Sequence, residues 1–196
     1  MKLPIYAYGQ PVLRKETLEI EENNEEIKKL ISDMFDTMND ARGVGLAAPQ
    51  IGKALRLFII DASPFADDEA EDEEEAKENE FLKTFRRVFI NPIIEEESGE
   101  EWGFEEGCLS IPGIREEVFR KENVIISYYN EDFELVEEEL SGLAARVVQH
   151  EYDHIEQTLF TDYLSPLKKR LLKRKLTDIS KGIVPVKYKM KFNKKK

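Results

Sequence analysis

The chain of 196 residues predicts an α+β domain. Three observations carry that reading. Apolar residues recur at helical spacing around 24–38, 142–154 and 166–180. Short runs rich in β-branched and aromatic residues fall between these segments, at 55–60, 87–94 and 123–129. A polar turn at Asn130 to Asp132 separates the last run from 133–140, as a hairpin requires.

The first helix is predicted from Asn24 to Met38. Ile27, Leu30, Ile31, Met34 and Met38 share a face there, and Asn23 or Asn24 can cap the start. Met34 and Met38 are expected in the core. Asp40 to Gly45 reads as a turn, with Gly43 and Gly45 freeing the backbone. Leu55 to Ile60 (LRLFII) is apolar enough for a buried strand. Residues 67–80 hold ten acids against one lysine, the composition of a solvated surface loop. Arg87 to Ile94 (RVFINPII) predicts a strand that ends near Pro92, because proline cannot donate to a ladder. Asn123 to Tyr129 (NVIISYY) predicts a strand paired with Phe133 to Leu140. Ser141 is a good N-cap for a helix running through His154, on which Leu143, Val147, His150 and His154 share a face. A last helix runs from about Pro166 to Ser180 and stops at Gly182. There are no internal repeats.

Charged residues make up 36% of the chain and hydrophobic ones 41%, enough for a core under a heavily solvated surface. No stretch approaches the roughly 20 apolar residues of a membrane helix. The start, MKLPIYAYGQPVLRK, has prolines at 4 and 11 and no apolar h-region, so no secretory signal is expected. One cysteine excludes an internal disulfide, and a cytoplasmic location fits that usage. The net charge of −12 conceals an asymmetry. Residues 168–196 carry 13 basic groups and one acid, Asp178, whereas residues 1–167 carry 16 basic and 40 acidic groups. The expected organisation is one domain over 1–167, with an acidic stretch near 67–80, followed by a basic helix and tail over 168–196. Such a tail invites contact with a polyanion such as RNA. The alternative is a solvated helix and frayed end that balance an acidic body.

The strongest local signal is His150-Glu151-Tyr152-Asp153-His154, an H-E-x-x-H pattern built from the chain's only two histidines. Helical residues four apart lie about 40° apart around the axis, so both imidazoles aim at one spot. Glu151 is then placed as general base for a water activated by an ion. Three protein ligands would leave a position open for chemistry. No third histidine exists. The single cysteine, Cys108, lies in Glu106-Gly107-Cys108-Leu109-Ser110 and is favoured as the third ligand, against the alternative of a small buried hydrophobe. A third segment, GVGLAAPQIG from Gly43 to Gly52, reads equally as a site of close approach with Gln50 as an oxyanion donor and as a tight turn with an exposed glutamine.

Together these segments resemble the peptide deformylases. GVGLAAPQ (43–50), EGCLS (106–110) and QHEYDH (149–154) stand in that family's order. Pro4 to Arg14 resembles its opening, and Leu159-Phe160-Thr161-Asp162 resembles the tail of its third motif, so the likeness spans about residues 4–170. The resemblance implies antiparallel sheets packed around the motif helix, with an N-terminal and a C-terminal helix. It implies removal of the formyl group from the N-terminal methionine of nascent polypeptides, and such a substrate makes the ribosome the expected partner of the basic tail. Carried over by motif, Cys108, His150 and His154 would bind one divalent ion, most often Fe(II), with Zn(II), Ni(II) or Co(II) after isolation. Glu151 would be the acid/base. Gln50 and the Leu109 N–H would form the oxyanion hole, and Val44, Gly45 and Gly107 would line the peptide backbone. A tight slot beside the ion would exclude acyl groups larger than formyl.

Four features depart from the family's pattern. Gln157 stands where a glycine is usual. Residues 67–80 look inserted. Arg146 takes an ordinarily apolar position near the methionine pocket. Arg115 could steady the Cys108 or Glu106 region, or be a plain surface arginine. Two rival readings stay open at this point: an H-E-x-x-H endopeptidase, against which the missing third histidine speaks, and a catalytically silent metal- or ribosome-binding protein.

Overall fold

Asn24 starts the first helix as expected. In the computed structural model, which describes residues 1–22, 24–66, 70 and 72–193, the Asn24 side chain accepts from the amides of Glu26 and Ile27. It thereby satisfies two of the donors that a helix start leaves free. Helix α1 (Glu25–Asp40) follows β1 (Ile5–Tyr6). Next come β2 (Gly45–Ala47), a 3-10 turn at Ala48–Ile51, β3 (Leu57–Asp61) and α2 (Glu73–Thr84). Then follow β4 (Arg86–Cys108), β5 (Ile111–Tyr129), β6 (Leu135–Ser141), α3 (Gly142–Ile155), α4 (Pro166–Ser180) and β7 (Met190–Lys191).

Five strands form one antiparallel sheet in the order β2-β3-β4-β5-β6. Strand β3 explains the architecture. Its residues alternate sides, yet both sides are buried. Phe58 and Ile60 pack with Ala144, Ala145, Val147, Val148 and Ile155 of α3, while Leu57 and Ile59 pack with Ile31, Met34, Phe35 and Met38 of α1. The two methionines are core residues, both fully buried. The hairpin of β5 and β6 closes with Tyr129 opposite Leu135. A third cluster joins α4, through Leu172, Leu176 and Ile179, to Ala7, Ile111, Ile114 and Phe160.

Three expectations need correction. The strand expected to end near Pro92 continues to Cys108. The ladder shifts register between Ile90 and Ile93, and Asn91 takes a left-handed φ of 48°. Proline needs no ladder partner at such a bulge. The acidic stretch is not all loop. Residues 67–69 and 71 lie outside the described residues, but Asp72 caps α2 through the amides of Glu74 and Glu75, and Leu82 fixes that helix to the core. Sheet pairing is also not wholly antiparallel: β1 and β7 run parallel, with Ile5 opposite Met190. The tail thus returns to the N-terminal strand.

Ser141 precedes the motif helix as expected, but its side chain makes no capping bond. Glu78 of α2 serves instead, its Oε1 accepting from the Leu143 amide at 2.9 Å. A carboxylate at the positive end of α3 is stabilising.

Candidate active site

Three pieces of chain meet at one cavity of roughly 740 Å³. Helix α3 supplies His150 and Glu151, the end of β4 and its turn supply Glu106 to Leu109, and β2 with the residues on either side of it supplies Val44, Gly45 and Gln50. His154 lies one helical turn beyond His150 and is 2% exposed. Phe65, Phe104, Ile114, Arg146 and Val147 complete a mostly apolar wall.

The ligand atoms of Cys108, His150 and His154 lie within 4.8 Å of one another, the only such group among the described residues. Cys108 Sγ is 3.3 Å from His154 Nε2. His150 Nδ1 is 2.9 Å from Glu106 Oε2, which leaves Nε2 as the free donor atom. Burial, with the charges of His150 and Arg120, pulls the His154 pKa well below its usual value. That ring is held neutral, as a ligand must be. Burial acts the same way on His150, but its bonds to Cys108 and Glu106 and the Glu151 charge outweigh it and raise that pKa. A thiol and two imidazoles at this spacing suit a borderline-soft divalent ion.

Gln50 is buried, so the alternative of an exposed turn glutamine is wrong. Its Oε1 accepts from the Ala47 amide at 2.8 Å. That bond turns Nε2 toward the site, where it lies 3.3 Å from both Cys108 Sγ and Ser110 Oγ. Leu109 follows Cys108 directly in the turn. Gly45 faces Glu151 so closely that a Cβ there would overlap the Glu151 carboxylate. Glycine at 45 is therefore a matter of space rather than of backbone angle. Glu151 itself is 4% exposed, and its Oε2 has no hydrogen-bond partner. Burial pushes its pKa up to about 7, with the neighbouring charge of Glu106 adding to the rise. Such a carboxyl is poised to take and return a proton near neutral pH.

Sequence reading missed the group that orients His150, Glu106. Glu106 accepts from Arg120 Nε at 2.6 Å and Nη2 at 2.9 Å, and from Arg146 Nη1 at 3.2 Å. Arg120 also pairs with Asp153 at 2.8 Å. A signal for Glu106 was present: it lies two residues before Cys108, on the same face of β4. No spacing rule points to Arg120, fourteen residues away along a bent hairpin. Arg115, read either as steadying this region or as a plain surface arginine, is exposed and borders the cavity beside Gly107. Arg146 also borders the cavity, but as an anchored group: Nη2 donates to the Trp102 carbonyl at 2.6 Å, and the guanidinium stacks 4.3 Å over the Trp102 ring. Gln157, where the resemblance leads one to expect glycine, has φ of 59°, a conformation that glycine adopts without strain.

The model of the family described as polypeptide deformylase matches residues 2–170. A peptide deformylase of Christiangramia forsetii is 58% identical over 192 residues, covering 98% of this chain and 96% of that protein. One of Cytophaga hutchinsonii is 52% identical over 196 residues, covering 100% of both. Among solved structures, a peptide deformylase from Legionella pneumophila has a TM-score of 0.77 at 39% identity, covering 93% of this chain and 98% of that one.

Proposed function

The chain belongs to the polypeptide deformylase family and is a hydrolase; from that premise we propose that it removes the formyl group from the N-terminal methionine of nascent polypeptides, releasing formate. One observation carries the reading. The only thiol and the only two histidines of the chain converge beside a buried, unpaired Glu151 and an oriented Gln50.

Cys108, His150 and His154 would hold one divalent ion, most often Fe(II) in this family, with Zn(II), Ni(II) or Co(II) able to take its place. Bound there, such an ion supplies Lewis acidity toward the formyl carbonyl and lowers the pKa of water. Glu151 takes a proton from the attacking water as the new C–O bond forms. The same carboxyl then delivers that proton to the leaving nitrogen as the C–N bond breaks, yielding formate and a free amine. Gln50 Nε2 and the Leu109 N–H donate to the oxygen on which negative charge develops. Val44, Gly45 and Gly107 border the groove in which the peptide backbone lies. Strand β2 is the edge of the five-stranded sheet, so an extended peptide has an edge beside which to bind.

The deciding assay combines anaerobic purification, elemental analysis and formate release from a formyl-Met peptide. One ion per chain and rapid release are expected, with the acetyl-Met peptide and internal peptide bonds left intact. Absence of formate release from the ion-loaded protein would reject the reading. Nascent chains place the reaction in the cytoplasm, at the ribosome. Among the described residues no helix is long and apolar enough to cross a membrane. Exposed Arg170, Lys173, Arg174 and Lys175 on α4, with Lys187 and Lys189 on the tail, supply the positive face that would seek RNA phosphate. Residues 194–196, which end the basic tail, lie outside the described residues. Reversing the α4 charges should weaken ribosome pelleting more at low salt than at high salt. Equal pelleting at both would sink the contact.

A further inference from the structure

The basic tail does more than carry charge. From Ile183 to Phe192 its residues alternate exposed and half-buried, the period of an extended strand lying on a surface. Lysines 187, 189 and 191 fall on the outer side, and Val184, Val186, Tyr188, Met190 and Phe192 on the inner one. The segment is tied down along its length. The Ile5 amide donates to the Lys189 carbonyl at 2.9 Å, the Ala7 amide to the Lys191 carbonyl at 3.0 Å, and Asn193 Nδ2 to the Gly9 carbonyl at 3.1 Å. Met190 and Phe192 pack against the cluster that includes α4.

This strap brings Tyr188 into the candidate active site, where it lines the same cavity as Gln50, Cys108 and Glu151. Its hydroxyl donates to the Leu109 carbonyl at 2.7 Å. Burial raises the Tyr188 pKa, so the group remains a donor at neutral pH. The next carbonyl, that of Ser110, accepts from the Tyr8 amide at 2.8 Å. Two successive peptide planes beyond Leu109 are therefore pinned, one by the tail and one by the N-terminal segment. With the following plane held, rotation about Leu109 is restrained, which narrows the directions its own N–H can take.

Resting on the deformylase reading above, we infer that Tyr188 is a positioning residue: its hydroxyl holds the Cys108–Ser110 turn so that the Leu109 N–H meets the developing oxyanion. Tyr188 lies beyond residue 170, where the match to the family model stops. The C-terminal segment is thereby part of the catalytic apparatus, not only a cationic appendage. Truncation at residue 182 would confound loss of charge with loss of this hydroxyl.

Tyr188→Phe tests the inference, because it keeps the ring and removes only the donor. The variant should release formate with kcat lowered about 3- to 10-fold, the range of one net hydrogen bond, and KM changed less than about twofold, as for an interaction made in the transition state. Ion content should equal that of the parent. Amide hydrogen exchange across residues 107–111, followed by mass spectrometry, should quicken. A merely space-filling tyrosine would move neither kcat nor exchange. An unchanged kcat, a loss confined to KM, or unchanged exchange overturns the assignment. If the parent protein releases no formate, the deformylase reading fails and this role with it; an active parent with an equally active Y188F overturns the positioning role alone.

Discussion

Glu106→Gln is the sharpest test of how the site is held. The carboxylate accepts two bonds from Arg120, one from Arg146 and one from His150 Nδ1. Glutamine keeps the shape but leaves two buried guanidinium groups facing a neutral amide. Removing one partner of a buried ion pair costs about 3–5 kcal/mol. Arg120 retains Asp153 at 2.8 Å, so the lower end, about 3 kcal/mol, applies. Unfolding entropy near 2.1 cal/mol/K per residue gives about 0.4 kcal/mol/K for a chain of this length, so Tm should fall by about 7 °C. Losing the carboxylate behind His150 should also weaken ion affinity about 10- to 100-fold. The pH dependence has a definite sign. Burial alone would raise the Glu106 pKa, but the bonds to Arg120 and His150 hold it well below the usual carboxylate range. Its stabilisation is therefore present above the unfolded value and is lost as pH falls through the depressed folded value. Parent and variant should differ most near neutrality and converge in strong acid. Calorimetry across that range and competition with a metal chelator measure both effects. A neutral-pH Tm within about 1 °C of the parent, with unchanged ion affinity, would refute the account.

Four further changes bear on the same framework. Glu151→Gln should keep the ion and lose at least about a hundredfold in formate release, the worth of a general base. Parent rates should rise with pH through a midpoint at or below about 7, since a bound cation lowers it further; a pH limb that survives in the variant would remove Glu151 from the mechanism. In the ion-free parent, the raised folded pKa means that stability falls as pH rises from the unfolded value toward about 7, a slope that denaturant titration should find missing in the glutamine variant. Gly45→Ala should displace the Glu151 carboxylate and cut kcat at least tenfold with little change in Tm; full activity would show that the contact yields. Gln157→Gly should relieve its left-handed backbone and raise Tm by a few degrees, about 1 kcal/mol; because the backbone carbonyl that accepts from Arg14 is kept, an unchanged or lower Tm would show that this φ carries no net strain. Glu78→Ala should cost about 1 kcal/mol in chemical denaturation, and no loss would mean that α3 starts equally well without that cap.

Features set by local chemistry could be read from the sequence. The helix at 166–180 was legible because Gly182, which follows it with φ of 78°, marks its end, and the structure adds Ser165 as its cap. The strand at Pro92 was misjudged for a non-local reason. The bulge that absorbs the proline is completed by Arg56, whose carbonyl accepts from the Asn91 amide and whose guanidinium donates to the Pro92 carbonyl. The acidic stretch misled because composition reports solvation, whereas one buried leucine and one capping aspartate are enough to seat a helix whose other faces remain wet.

The site divides along the same line. His150, Glu151, His154 and Cys108 were legible because so few residue types can bind an ion, and this chain has only three histidines and cysteines in total. The groups that aim them were not, because an arginine that grips a carboxylate or a tyrosine that meets a carbonyl is common everywhere and becomes specific only through position. The tail shows this most sharply. Its lysines predict a cationic appendage, yet their alternation with apolar residues equally describes a strand with one face on the protein. Which face matters depends on whether an apolar surface waits for it, and that surface is built from Ile5, Leu109 and the end of α4, residues scattered across the whole chain. Donor atoms can therefore be found in a sequence by type, but the groups that orient them follow from tertiary packing and must be sought in the fold.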